Sequence, residues 1–207
     1  MSVSLLVIAK APVPGRAKTR LCPPCSPAQA ARLAEAALGD TLDAVAAVPA
    51  PRRVLFLDGE PGPWVPPAYE VRPQATGGLG ERLDAAFAAV PGPALLVGMD
   101  TPQLTPELLS DGARALLDPE VDAVLGRATD GGYWAIGFRS HVAGAFDGVP
   151  MSSGATAERQ LARLDELGLR VRALPPLRDV DDIEDARSVA AVAPDSRFAA
   201  ALATVGG

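Results

Sequence analysis

The sequence predicts a three-layer α/β/α domain built on a mostly parallel sheet, and three features carry that prediction. Short apolar runs without polar alternation recur along the chain, as in Leu5-Leu6-Val7-Ile8-Ala9 and Leu95-Leu96-Val97, which suits strands covered on both faces. Alanine- and leucine-rich helical stretches separate these runs, so strands and helices alternate. Several strand candidates end directly on Gly or Asp, at the sheet edge where open α/β folds place their ligands. The chain has 207 residues, enough for one full-sized domain and short for two, so residues 1–207 are expected to form a single unit.

Taken in order, residues 4–9 form the first strand and open onto a loop from Lys10 to Leu21 that holds two prolines, Gly15 and four cations, Lys10, Arg16, Lys18 and Arg20. Ser26-Pro27-Ala28-Gln29 starts a helix, with a Ser cap, Pro at the first helical position and Gln three after the cap. That helix is expected to run to about Val48. Residues 53–58 are a second strand ending on Asp58, and residues 69–72 a short strand suited to a sheet edge. The stretch from Gln74 to Arg82 reads as a glycine-rich turn into a helix over 83–90, which Pro91-Gly92-Pro93 breaks. The strand through residues 95–97 follows and stops at Gly98, just before Met99-Asp100-Thr101-Pro102. Thr105-Pro106 begins a helix over 107–117. Residues 121–126 and 133–138 are strands joined by the tight Asp130-Gly131-Gly132 turn, the one antiparallel excursion expected. A helix near 155–167, a strand over 169–174 and a final helix introduced by Asp179-Val180-Asp181 and ending before Pro194 complete the chain.

Composition excludes several functions. Hydrophobic residues make up 48% of the chain, which allows a large core and argues against global disorder. A net charge of −6 argues against nucleic acid or an anionic membrane as partner, so phosphate must be handled by a local basic cluster. No stretch approaches the ~18–20 uncharged apolar residues of a membrane span. Residues 1–4 lack a basic leader, and two cysteines are too few for a disulfide scaffold, so a reducing cytoplasm is the expected setting.

The predicted topology gathers the basic loop, Asp58, the glycine-rich turn, Asp100, Asp130 and Asp179/Asp181 at one edge of the sheet. A loop with four cations after the first strand suits polyphosphate, although it lacks the Gly-x-x-x-x-Gly-Lys-Ser/Thr spacing of a P-loop. Carboxylates without His or Cys partners are hard oxygen ligands, which favours Mg²⁺ or Mn²⁺. Asp100 with either Asp179 or Asp181 can hold such an ion, while Glu184 and Asp185 fit the acidic first turn of a helix. Cys22-Pro23-Pro24-Cys25 mimics a redox motif but sits in a loop. His141 is the single histidine, which leaves Ser–His–Asp and Cys–His catalysis without support.

Residues 6–12 through Lys18-Thr19-Arg20-Leu21, Gly80-Glu81-Arg82, residues 98–102, Asp130-Gly131-Gly132-Tyr133 and Asp179-Val180-Asp181 together resemble the DUF2064 family. Its members are similar to GT-A-type, Rossmann-like nucleotide-diphospho-sugar transferases. The Lys-Thr-Arg-Leu piece is also similar to 2-phospho-L-lactate guanylyltransferases and, more loosely, to molybdenum-cofactor nucleotidyltransferases. The resemblance implies a divalent ion at Asp100 and nucleotide binding by Ala9, Lys10, Gly15, Gln74, Gly80 and Arg82. It further implies substrate contacts from Asp130, Gly131, Gly132 and Tyr133. Arg127 replaces a common Pro and Met151-Ser152-Ser153 a usual Trp-Ser-Thr, both on the acceptor side.

The leading expectation is a metal-dependent nucleotidyltransferase joining a nucleotide from a nucleoside triphosphate to a small phosphorylated acceptor with release of pyrophosphate. Arg16, Lys18, Arg20 and Asp100 are its candidate catalytic residues. A glycosyltransferase with a nucleotide-sugar donor is the rival, and a non-catalytic nucleotide-binding protein a third class. The density of cations in the first loop favours a triphosphate.

Overall fold

The computed structural model describes residues 2–205, which form a seven-stranded sheet flanked by helices. The strands are β1 (Ser4–Lys10), β2 (Arg53–Asp58), β3 (Glu70–Pro73), β4 (Ala94–Val97), β5 (Ala123–Ala128), β6 (Tyr133–Phe138) and β7 (Val171–Leu177). The helices are α1 (Pro27–Ala46), α2 (Leu79–Ala88), α3 (Pro106–Leu117), α4 (Thr156–Glu166), α5 (Ile183–Val192) and α6 (Arg197–Ala203). Strand order is β3-β2-β1-β4-β6-β5-β7. Only β6 runs against its neighbours, β4 and β5, and the other pairs are parallel. The three-layer, mostly parallel α/β architecture is the one the alternation predicts.

Burial explains the unalternated strands. Leu5 and Val7 of β1 pack with Leu38 and Leu42 of α1 and with Leu109 and Leu116 of α3. Leu6 points the other way, into Leu83 and Phe87 of α2 and Ala157 and Leu164 of α4. Because β1 and β4 lie mid-sheet with helices on both faces, their central residues are apolar on both sides. A third apolar cluster lies outside α1, where Leu33 and Ala37 meet Val180, Val189 and Phe198.

Several boundaries move. The helix α2 begins at Leu79, four residues before the predicted start, because the Glu81 carboxylate reaches back to accept from the Gly78 amide at 2.7 Å. Gly80 is therefore helical and not part of a turn. The helix α5 is not the last: Ser196 caps α6, and Asp40 of α1 accepts from the amides of Arg197 and Phe198 at 3.0 and 2.9 Å. Thr19–Leu21 forms a short 3-10 turn inside the basic loop. The helix starts at Ser26 and Thr105 stand as predicted, the first as a capping box with Gln29.

Because β6 is antiparallel, its first residue, Tyr133, lies at the same edge as the last residues of β1, β2 and β4. The strand order thus brings segments far apart in sequence to one rim.

Candidate active site

A cleft of about 610 Å³ opens at that rim, within the usual size of a ligand pocket. Of the predicted site residues, Ala9, Lys10, Arg16, Lys18, Arg20, Gln74, Arg82, Asp100, Tyr133 and Asp181 line it. Gly15, Gly80, Asp130, Gly131, Gly132 and Asp179 do not.

The basic loop is held by its charges. Lys18 Nζ lies 2.6 Å from Asp100 Oδ1 and also donates to the Val180 carbonyl. Its side chain is 9% exposed, whereas that of Asp100 is 44% exposed. Arg20 Nη1 lies 2.9 Å from Asp181 Oδ2, with Asp181 40% exposed. The Val180 amide donates to the Asp100 carbonyl at 2.9 Å, so the exit of β4 and the approach to α5 are stitched together beneath the loop. Lys10 and Arg16 have no hydrogen-bond or ion-pair partner for their side chains among the described residues. Lys18 (φ 50°) and Ser152 (φ 60°) are the two non-glycine residues with left-handed backbone among those described, and both line the cleft. Such conformations cost roughly 1–3 kcal/mol and concentrate at functional sites.

A second network supports the opposite wall. Gln74 Nε2 donates to the carbonyls of Ala9 at 2.8 Å and Phe56 at 3.2 Å, and its Oε1 accepts from Arg82 Nη1 at 3.3 Å. Arg82 also donates from Nε to the Gly77 carbonyl at 2.9 Å and meets Asp58 Oδ2 at 3.4 Å. Gln74 therefore braces the end of β1 and orients Arg82. Gly80 is turned toward Phe146 and Met151 and away from the cleft.

Tyr133 presents its ring to the cleft while its hydroxyl points inward. The hydroxyl donates to Gln160 Oε1 at 3.5 Å and touches Met151 Sδ at 3.7 Å. Burial raises its pKa, so the phenol stays neutral. Asp130 and Gly131 shape the preceding turn: Asp130 Oδ1 accepts from the Gly132 amide at 2.8 Å, and the Gly131 carbonyl accepts from the Ala157 amide at 2.9 Å. They form the turn between β5 and β6, outside the lining of the cleft.

The two acidic candidates before α5 diverge. Asp181 faces the cleft, whereas Asp179 is drawn inward, its Oδ1 buried without a partner, as are Thr101 Oγ1 and Gln103 Oε1 of the facing loop. Burial, then the charge of Asp130, with smaller contributions from Asp100 and Asp181, pushes the Asp179 pKa up to about 7. Among the described residues no group of three or more His, Cys, Asp or Glu side chains surrounds a single point. Asp100 and Asp181, both lining the cleft, are the donor type that Mg²⁺ takes, an ion commonly held by one or two carboxylates plus substrate phosphates.

The sequence profile of DUF2064, described as uncharacterized proteins conserved in bacteria, matches residues 32–153, more than half of the chain. The chain belongs to the DUF2064 family. The matched span holds Gln74, Arg82, Asp100 and Tyr133 but neither the basic loop nor the Asp179-Val180-Asp181 turn. No curated protein matches this DUF2064 chain. Among solved structures it is similar to a candidate nucleotide-diphospho-sugar transferase from Desulfovibrio desulfuricans, at 26% identity over 99% of each chain with a TM-score of 0.82. It is also similar in fold to 2-C-methyl-D-erythritol 4-phosphate cytidylyltransferase from Thermus thermophilus, at 15% identity over 94% of this chain and 100% of that one, TM-score 0.60. Rv0371c from Mycobacterium tuberculosis in complex with manganese shares the fold at 20% identity, over 91% of this chain and 98% of that one, TM-score 0.53. The DUF2064 chain thus has the nucleotide-diphospho-sugar transferase fold. None of its described helices is long and apolar enough to cross a membrane.

Sequence reading misses several residues of the cleft, Ser152, Leu79 and Leu83 among them, and the Val180 carbonyl that holds Lys18. Ser152 sits in a stretch marked only by its departure from the family pattern. The Val180 carbonyl is a backbone group with no side-chain signature. Leu79 and Leu83 read as part of a turn and as a later helix start, yet both line the cleft from α2.

Proposed function

We propose that this protein is a metal-dependent nucleotidyltransferase that joins a nucleotide from a nucleoside triphosphate to a small phosphorylated acceptor. The observation that carries the reading is the meeting of a four-cation loop with Asp100 and Asp181 at the mouth of one cleft. The fold shared with a cytidylyltransferase and with a manganese-bound protein supports it.

In the proposed reaction an acceptor phosphate oxygen attacks the α-phosphorus. The bond from the α-phosphorus to the bridging oxygen breaks, and the electron pair leaves with pyrophosphate. Lys18 and Arg20 meet the charge that builds on that leaving group, and Arg16 holds the outer phosphates. Asp100 and Asp181, rather than Asp179, would hold Mg²⁺ or Mn²⁺, which when bound neutralises phosphate charge. Gln74 holds Arg82 toward the bound nucleotide, and the ring of Tyr133 borders the acceptor.

The likeness to a candidate nucleotide-diphospho-sugar transferase favours a second reading, glycosyl transfer from a nucleotide sugar. Parallel assays of pyrophosphate release from triphosphates and nucleoside-diphosphate release from nucleotide sugars separate the two. Lys18→Ala and Arg20→Ala should each lower pyrophosphate release by about 10²–10³-fold, the usual effect of losing one preorganised stabilising group. Signal confined to the second assay would replace nucleotidyl by glycosyl transfer.

A further inference from the structure

The cations and carboxylates assigned to substrate and metal satisfy one another: Lys18 pairs with Asp100 and Arg20 with Asp181. We infer that these two pairs act as a clasp, so that the divalent ion and the polyphosphate bind as one unit by exchanging partners with it. The inference rests on the proposed nucleotide and metal reading and adds to it a coupling between the two ligands.

The Lys18–Asp100 pair is the stronger half. The ammonium is nearly enclosed, bonded to Asp100 and to the Val180 carbonyl, and the Lys18 backbone is held left-handed at φ 50°, ψ 40°. A divalent ion arriving alone at Asp100 would lie beside that ammonium, and the like charges would repel. It could displace Lys18 only by leaving a nearly buried cation with one carbonyl partner, which costs more than the metal contact at a half-exposed carboxylate returns. A polyphosphate alone meets the converse problem, because Asp100 and Asp181 stand beside the cations it needs. When both arrive, Lys18 and Arg20 pass from carboxylate to phosphate while Asp100 and Asp181 pass from cation to metal. The completed exchange leaves no charge unpaired. Arg20, 75% exposed, and Asp181 form the looser half of the clasp, the one that can open first. Each ligand then raises the affinity of the other by the same factor, about 5–150-fold for typical coupling energies.

The probes are Mn²⁺, followed by its electron paramagnetic resonance signal, and inorganic tripolyphosphate, which carries neither base nor sugar. With the wild-type protein, saturating tripolyphosphate should tighten Mn²⁺ binding at least about 10-fold beyond what tripolyphosphate alone does in buffer. Lys18→Ala should tighten Mn²⁺ binding in the absence of tripolyphosphate, by about 10-fold, because it releases Asp100, and Arg20→Gln should do so more weakly by releasing Asp181. Arg16→Ala removes the same charge from the same loop but frees no carboxylate, and should change Mn²⁺ affinity by no more than about 2-fold. Circular dichroism identifies any variant that does not fold, and Arg20→Gln, at an exposed position, decides the matter if Lys18→Ala fails. Mn²⁺ affinity that is unchanged or weaker in the folded variants, or equal gains in Arg16→Ala, would overturn the clasp. Nucleoside triphosphates that fail to bind wild type while the Mn²⁺ results hold would instead sink the nucleotide reading and leave the clasp standing.

Discussion

Replacing Asp179 by Asn removes a carboxylate that the fold keeps partly buried among Asp130, Asp100 and Asp181. Its pKa stands at about 7 in the folded protein against 3.8 for the free group, burial being the largest cause. The folded chain therefore keeps a proton on Asp179 between about pH 4 and pH 7 that the unfolded chain has already released. By linkage the native state is favoured fully below about pH 4, loses that advantage as the pH climbs to about 7, and stays at the lower level above it. At about 1.36 kcal/mol per tenfold change in proton affinity the full displacement corresponds to roughly 4 kcal/mol. The carboxylate is only partly enclosed, so solvent screening brings the expected effect down to about 2 kcal/mol. Asn is neutral and nearly isosteric and escapes this penalty. The variant should be more stable than wild type by about 2 kcal/mol at pH 8 and within about 0.5 kcal/mol of it at pH 4. Urea unfolding at pH 4, 6 and 8 in the presence of a chelator measures the difference. A gap that does not grow with pH, or a wild type more stable at pH 8, would refute the reasoning.

Four further substitutions probe the scaffold around the site. Gly131→Ala places a Cβ against the Gly154 carbonyl at a backbone φ of +93° and should cost about 2–4 kcal/mol, read from the urea midpoint. Tyr133→Phe should keep turnover within about 3-fold, since the lost hydroxyl faces Gln160 and Met151 and not the cleft, and a loss of about 100-fold would show that the hydroxyl acts on substrate. Cys25→Ser should destabilise by about 1–2 kcal/mol with activity unchanged, because Cys25 is buried in the apolar cluster beside Leu21 and Leu33. Cys22→Ser, at a half-buried position, should be nearly silent in both measurements, and activity lost in either variant with stability retained would point to redox chemistry at this pair.

Much of the scaffold is legible because its signals are local. The strands Arg53–Asp58 and Tyr133–Phe138 stand at the bounds the sequence predicts, and Ser26 and Thr105 cap their helices through contacts three residues away. The gathering of the basic loop, Gln74, Arg82, Asp100 and Asp181 at one rim follows from strand–helix alternation, since a parallel sheet sends every strand exit to the same edge. Gly78 carries no cap side chain, so the start of α2 depends on Glu81 folding back, and the glycines before it read as a turn. The helix α6 escapes a sequence reading because it is short and is anchored by Asp40, more than 150 residues earlier in the chain. Residue type and spacing by themselves determined that cations and carboxylates would share a rim, because hydrophobic period and turn chemistry dictate the elements and the elements dictate the edge. Only the tertiary structure decided that Lys18 clasps Asp100 and Val180, that Asp181 faces the cleft while Asp179 turns inward, and that Gly80 meets Phe146. Those outcomes depend on how loops of distant origin settle against one another, where burial and charge balance act through space and leave no periodic mark along the chain.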